Sequence, residues 1–119
     1  MWIAKLLIAL IGILHVYILV LEMFLWDKPQ GLKAFGNNLE KAKLTKVLAQ
    51  NQGLYNGFLA AGLLWSLLVS NPDFSRSIAT FFLGCVFVAG IYGGLTASKK
   101  IIYIQAVPAL LALVVLHFA

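Results

Sequence analysis

Apolar residues fall along this chain in four long runs, Met1 to Trp26, Gly53 to Ser70, Ile78 to Ala97 and Ile101 to Phe118, separated by short polar stretches. Each run holds roughly the 18 to 25 residues that an α-helix rising ~1.5 Å per residue needs to cross a hydrocarbon layer ~30 Å thick. Backbone amides in lipid must be paired internally, which restricts spanning segments to helices and closed barrels, and continuous runs without strict alternation select helices. The pattern predicts an all-α protein, a four-helix transmembrane bundle with helices over about 2-26, 50-70, 77-98 and 100-118 in a single domain, 1-119. Connections this short make sequential helices antiparallel neighbours.

The polar stretches carry their own punctuation. Trp2 and Trp26 bracket the first run, at the levels where interfacial belts favour tryptophan, and "DKPQG" then turns the chain with Pro29 and Gly31. From Leu32 to Leu48, apolar residues at 32, 35, 39, 44, 47 and 48 alternate with lysines, as in an amphipathic segment lying on a cytoplasmic membrane surface and interrupted near "GNN". A solvated basic loop accommodates the same residues. The second helix is expected to begin within this segment and to enter the membrane near Gly53; "SNPDFS", with Asn71 and Pro72, closes it in a short turn. Pro108 removes one backbone hydrogen bond from the fourth run and predicts a kink.

Composition strengthens the membrane assignment. Hydrophobic residues make up 62% of the 119 positions and charged residues 11%, against about a quarter charged in soluble domains. Of the nine lysines and arginines, Lys28, Lys33, Lys41, Lys43 and Lys46 follow the first run and Lys99 and Lys100 join the last two, leaving Lys5 and Arg76 on the opposite side. Because positive loops stay inside, this bias predicts a multi-pass protein of the bacterial inner membrane with 27-49 and 98-100 cytoplasmic and both termini outside. Orientation and anionic headgroups account for the net charge of +5, with no need of nucleic acid. The first run is too long for a secretory signal and has no small-residue cleavage site before Trp26, so it reads as a retained helix. A lone cysteine, Cys85, excludes an intrachain disulfide and any cysteine-based metal site, and no dinucleotide, phosphate-loop or zinc-protease motif is present; no cofactor and no metal are expected.

Polar residues within the runs concentrate at one side. Antiparallel packing places Glu22, Gln52, Tyr55, Asn56, Tyr92, Thr96, Tyr103 and Gln105 in the same, cytoplasmic, half of the bundle. Gln52 and Asn56, four apart, share one helical face, and Asn51 and Tyr55 the adjoining one. His15 and Glu22, seven apart, share a face of the first helix and are separated by roughly 10 Å along its axis. Gly53, Gly57 and Ala61 form one ridge of small residues and Gly90 and Gly94 another, each allowing close backbone approach. Every one of these side chains also has a purely structural explanation. Glu22 can reach the interface and pair with Lys28, His15 can bond a carbonyl within the core, Asn51 and Gln52 can cap or join helices, and the tyrosines and His117 can belong to interfacial belts. The one-sided concentration is what those explanations leave standing.

At "HVYILVLEMFLWDKP", "NQGLYNGFLAAGL" and "AGIYGGLTASKKIIYIQAVPALLAL" the chain resembles the small bacterial integral membrane proteins of domain of unknown function 1304 (DUF1304). That resemblance spans nearly the whole chain, implies a four-helix membrane architecture and transfers no catalytic residue. His15, Glu22, Asn51, Gln52, Tyr55, Asn56, Tyr92 and Gln105 lie within its segments and form the candidate ligand-binding set, on physical grounds alone.

Three functions compete for this set. The first is binding of a lipid-like or small amphipathic molecule, its polar head among Glu22, Gln52 and Asn56 and its apolar part among leucine, valine and phenylalanine side chains. The second is a membrane isomerase moving a proton between Glu22 and His15, for which seven residues is a long separation. The third is a small proton-coupled transporter working as a dimer, the simplest homo-oligomer, although Glu22 stands near a membrane end whereas alternating access favours the midplane. A packing subunit without ligand is the remaining possibility.

Overall fold

Long apolar stretches bounded by capping residues produce only helices here. The computed structural model describes residues 2-118; Met1, which opens the first apolar run, and Ala119, which ends the single domain read from the sequence, lie outside the described residues. The elements are α1 (Trp2–Phe24), α2 (Pro29–Phe35), α3 (Leu39–Leu68), α4 (Pro72–Thr96), a π-helical turn (Ile102–Ala106) and α5 (Val107–Phe118), with no strand among the described residues.

The helix limits follow local chemistry. Lys28 is extended and Pro29 opens α2, where a missing N–H is harmless. Gly36 ends it in the left-handed conformation (φ 65°, ψ 32°), and the N–H groups of Gly36 and Asn37 both bond Leu32 O. Asn38 then caps α3, its side-chain oxygen accepting from Lys41 N at 2.8 Å. The basic segment is therefore mostly helical, and α3 begins at Leu39, inside the segment where the second helix is expected to start and eleven residues ahead of the span of about 50-70. Likewise α4 begins at Pro72 rather than 77, because Asn71 accepts from Asp73 N and Phe74 N, both at 3.0 Å, so part of the expected turn is a capped first helical turn. The irregularity expected at Pro108 takes the form of a π turn immediately before it, closed by Val107 N–H to Ile102 O.

Two helices, Trp2–Phe24 and Pro72–Thr96, are long and apolar enough to cross a membrane. The expected four-helix transmembrane bundle narrows accordingly: Ile102–Phe118 is a shorter apolar stretch, and α3 carries three lysines in its first two turns and Asn51, Gln52 and Asn56 further on. Only 28% of the apolar window of α1 and 33% of that of α4 is buried, whereas the core helix of a soluble protein is mostly covered. Outward-facing residues include Leu10, Ile13, Phe81, Val88 and Leu95.

The chain forms two compact units, residues 13-60 and residues 2-12 with 61-118, so α1 and α3 each contribute to both. In the second of these, Gly90 and Gly94 let α4 approach the π turn closely. An added Cβ at Gly90 would meet Ala106 N at 2.5 Å, and one at Gly94 would overlap Ile102. Thr80 Oγ1 and His117 Nε2, 2.9 Å apart, join α4 to α5. In the first unit, Trp26 Nε1 donates to Thr45 Oγ1 at 3.1 Å, Lys46 Nζ lies 3.2 Å from Asp27 Oδ2, and the Trp26 ring stacks obliquely on Phe35. These contacts fasten the corner between α1 and α2 to the first part of α3.

Candidate functional site

The candidate site lies in the unit of residues 13-60, where α1 packs closely on α3 at two glycines. On α3, Gly53 faces Met23 and Glu22, so that an added Cβ would stand 3.0 Å from Glu22 Cβ and 3.3 Å from Leu19 O. One turn later Gly57 faces Leu19 Cδ1, which an added Cβ would approach to 2.6 Å. Close backbone approach of this kind brings the next polar residue of α3 into reach of α1. Asn56 Nδ2 donates to Glu22 Oε1 at 2.6 Å, and the two side chains are 8% and 2% exposed. A carboxylate removed from water is costly without donors, and the Asn56 amide supplies one directly.

Both partners fall on a seven-residue repeat of buried positions. Buried positions on α1 include Ile8, His15 and Glu22, and on α3 Ala42, Ala49, Asn56 and Leu63. Residues on such a period lie along one side of a helix. His15 is fully buried on the Glu22 stripe and has an interaction partner. Asn51 and Gln52, outside the repeat, are exposed, and Tyr55 is 63% exposed with its ring 6.0 Å from Phe58. Tyr92, 69% exposed, and the half-buried Gln105, which is engaged in an interaction, belong to the other unit. Of the eight residues singled out from the sequence, the structure joins Glu22 to Asn56 by a hydrogen bond and sets His15 on the same buried stripe of α1 as Glu22.

Surrounding electrostatics are simple. Asp27, just beyond α1, has its carboxyl held below the usual range, chiefly by the hydrogen bond from Lys46. Among the described residues every buried side-chain nitrogen and oxygen has a hydrogen-bond partner, and no three His, Cys, Asp or Glu side chains are grouped so as to hold a metal ion. Sequence reading did not find the Trp26–Thr45 and Asp27–Lys46 ties. Each joins positions nineteen residues apart, and a continuous α3 start near Leu39 is needed to bring them into register.

Residues 9-117 match the family described as "Protein of unknown function (DUF1304)". The chain belongs to the DUF1304 family. A relative, "Uncharacterized protein YpaA" of Lactococcus lactis subsp. lactis (strain IL1403), is 32% identical over 107 residues, covering 88% of each chain. No solved structure matches this chain. The DUF1304 match contains Glu22, Asn56, His15 and both glycines of the α1–α3 approach.

Proposed function

We propose that the chain is a multi-pass membrane protein that binds the polar head of a lipid-like or small amphipathic molecule at the Glu22–Asn56 pair. The observation that carries this reading is the 2.6 Å hydrogen bond between a buried carboxylate and a buried amide on two different helices. An ionised carboxylate accepts about four hydrogen bonds and Asn56 fills one, leaving capacity for a hydroxyl or amine of a ligand. Intramembrane carboxylates facing a helix partner rather than lipid are by default functional. Apolar side chains flank the pair on both helices, the environment in which a few polar groups orient an amphipathic ligand.

In the same reading the chain crosses the membrane four times, through α1, the apolar second part of α3, α4 and residues 102-118. The lysines of 27-49 and 98-100 lie on the cytoplasmic side and both termini outside. Labelling of single cysteines at position 73 or 100, in a Cys85→Ser background, checks the orientation; cytoplasmic access at 73 would reverse it. The rise of roughly 10 Å between the levels of His15 and Glu22 is too long for direct proton exchange, so binding is favoured over isomerisation.

The decisive experiment is mass spectrometry of what co-purifies with the wild-type protein and with Glu22→Gln and Asn56→Ala. Loss of a specific co-purified amphipath in both variants is expected. Unchanged retention of every bound molecule in Glu22→Gln would remove the pair as a binding site.

A further inference from the structure

Two of the nine cations stand apart from the lysine-rich segments, and both line one cleft. Within the unit of residues 2-12 and 61-118 there is a cleft of about 240 Å³ lined by Lys5 from α1 and Arg76 from α4, with Ser70, Ser75, Ile8 and Ala79. Among the described residues the ion pair present is Lys46–Asp27, and none joins Lys5 or Arg76 to a described carboxylate. Asp73, three residues before Arg76 on α4, is exposed and forms no such pair. Like charges brought to one cleft repel each other, and an anion between them turns that repulsion into attraction. Ser75 Oγ already donates to Ser66 O at 2.6 Å, whereas the exposed Ser70 offers a neutral donor at the rim. Asn71 occupies the N–H groups of Asp73 and Phe74, so the attraction comes from the two side chains and not from the end of α4.

We propose that this cleft binds a phosphate group, carried by an anionic phospholipid headgroup or free in solution, between the Lys5 ammonium and the Arg76 guanidinium. The planar fork of arginine matches two oxygens of a tetrahedral anion, and lysine supplies a point charge to a third. The volume falls below the ~300–1,000 Å³ of clefts that enclose drug-sized ligands, which suits a headgroup whose acyl chains remain outside along apolar helix surfaces. The site is separate from the Glu22–Asn56 pair and does not depend on it.

Native mass spectrometry of the full chain in detergent, titrated with phosphatidylglycerol or phosphatidylcholine, tests the assignment. A preference for phosphatidylglycerol is expected. The double variant Lys5→Gln/Arg76→Gln should bind it at least ~10-fold more weakly, since each charge-assisted hydrogen bond contributes on that order, while Arg76→Lys, which keeps the charge, should retain most of the binding. Inorganic phosphate is added in a parallel arm. Competition with phosphatidylglycerol identifies a site open to free phosphate, and a lipid preference untouched by phosphate identifies the headgroup; either result supports the cleft. Wild-type affinity in the double variant would overturn it. So would an equal loss in the control Lys99→Gln/Lys100→Gln, since net charge alone would then be responsible.

Discussion

Alanine at three glycines of α4 should produce a graded response set by what each new methyl group meets. At Gly90 the added Cβ would lie 2.5 Å from Ala106 N, 2.9 Å from Gln105 Cβ and 3.0 Å from Ala106 Cα. Carbon contacts are optimal at roughly 3.5–4.0 Å, so α4 would have to withdraw by about 1 Å from the π turn. Two of the three obstructing atoms are main chain and cannot rotate aside, which places Gly90→Ala at a loss of ~2–3 kcal/mol, in the upper range for overpacking. At Gly93 the nearest atoms are Ile101 Cγ2 at 3.2 Å and Cδ1 at 3.4 Å. A side chain can yield by those few tenths of an ångström, and the helix-propensity gain of ~1 kcal/mol roughly cancels the strain. At Gly84 nothing lies within 4 Å, so alanine should stabilise by up to ~1 kcal/mol. Detergent-micelle unfolding titrated with dodecyl sulfate and followed by far-UV circular dichroism reads the order directly. Gly90→Ala unfolding with the same midpoint as Gly84→Ala would refute the close approach of α4 to residues 105 and 106.

The buried pair and the surface ion pair make further predictions. Asn56→Ala removes the bond to Glu22 and leaves a carboxylate without that donor, so a loss of ~1–2 kcal/mol is expected in the same titration. In a Glu22→Gln background the loss should shrink below ~1 kcal/mol, and equal losses in the two backgrounds would mean that the residues do not interact. The Asp27 carboxyl, held by Lys46 below the ordinary value of 3.8, stabilises the fold fully above that value and loses its contribution as pH falls through the lowered one. Lys46→Gln should therefore bring the Asp27 titration, followed by carboxyl-carbon NMR, back up towards the ordinary value, and an unmoved titration would exclude Lys46 as the cause.

How far the sequence could lead is clearest where local rules and tertiary contacts diverge. Helix identity was legible in the four apolar runs, because run length and the absence of alternation are local properties, but not over 29–49, where an amphipathic segment and a solvated loop fitted the same residues. Boundaries were not: Asn38 and Asn71 are caps, but each sits in a polar stretch that reads equally well as a loop, and only the accepted hydrogen bonds distinguish the two. The π turn at Ile102–Ala106 ends two residues before Pro108 and lies against Gly90, and the proline alone predicts a kink without its form.

For the site, a four-residue spacing proved the wrong ruler. Gln52 and Asn56 share a face by the 3.6-residue period of a lone helix, yet Asn56 is buried and Gln52 exposed. On α3 the buried positions Ala42, Ala49, Asn56 and Leu63 repeat every seven residues, and Gln52 is off that repeat. The same repeat on α1 selects Ile8, His15 and Glu22, which explains why their seven-residue spacing was visible from the sequence. Gly53 and Gly57 set the distance between α1 and α3 by admitting Leu19 and Glu22 against the α3 backbone. A polar residue at a stripe position is thus buried whether or not it is satisfied, and the Glu22–Asn56 bond follows from geometry imposed by small and apolar residues around it. Replacing the glycines should therefore disturb the pair even with both polar side chains intact, which makes the ridge and not the carboxylate the first determinant of the site.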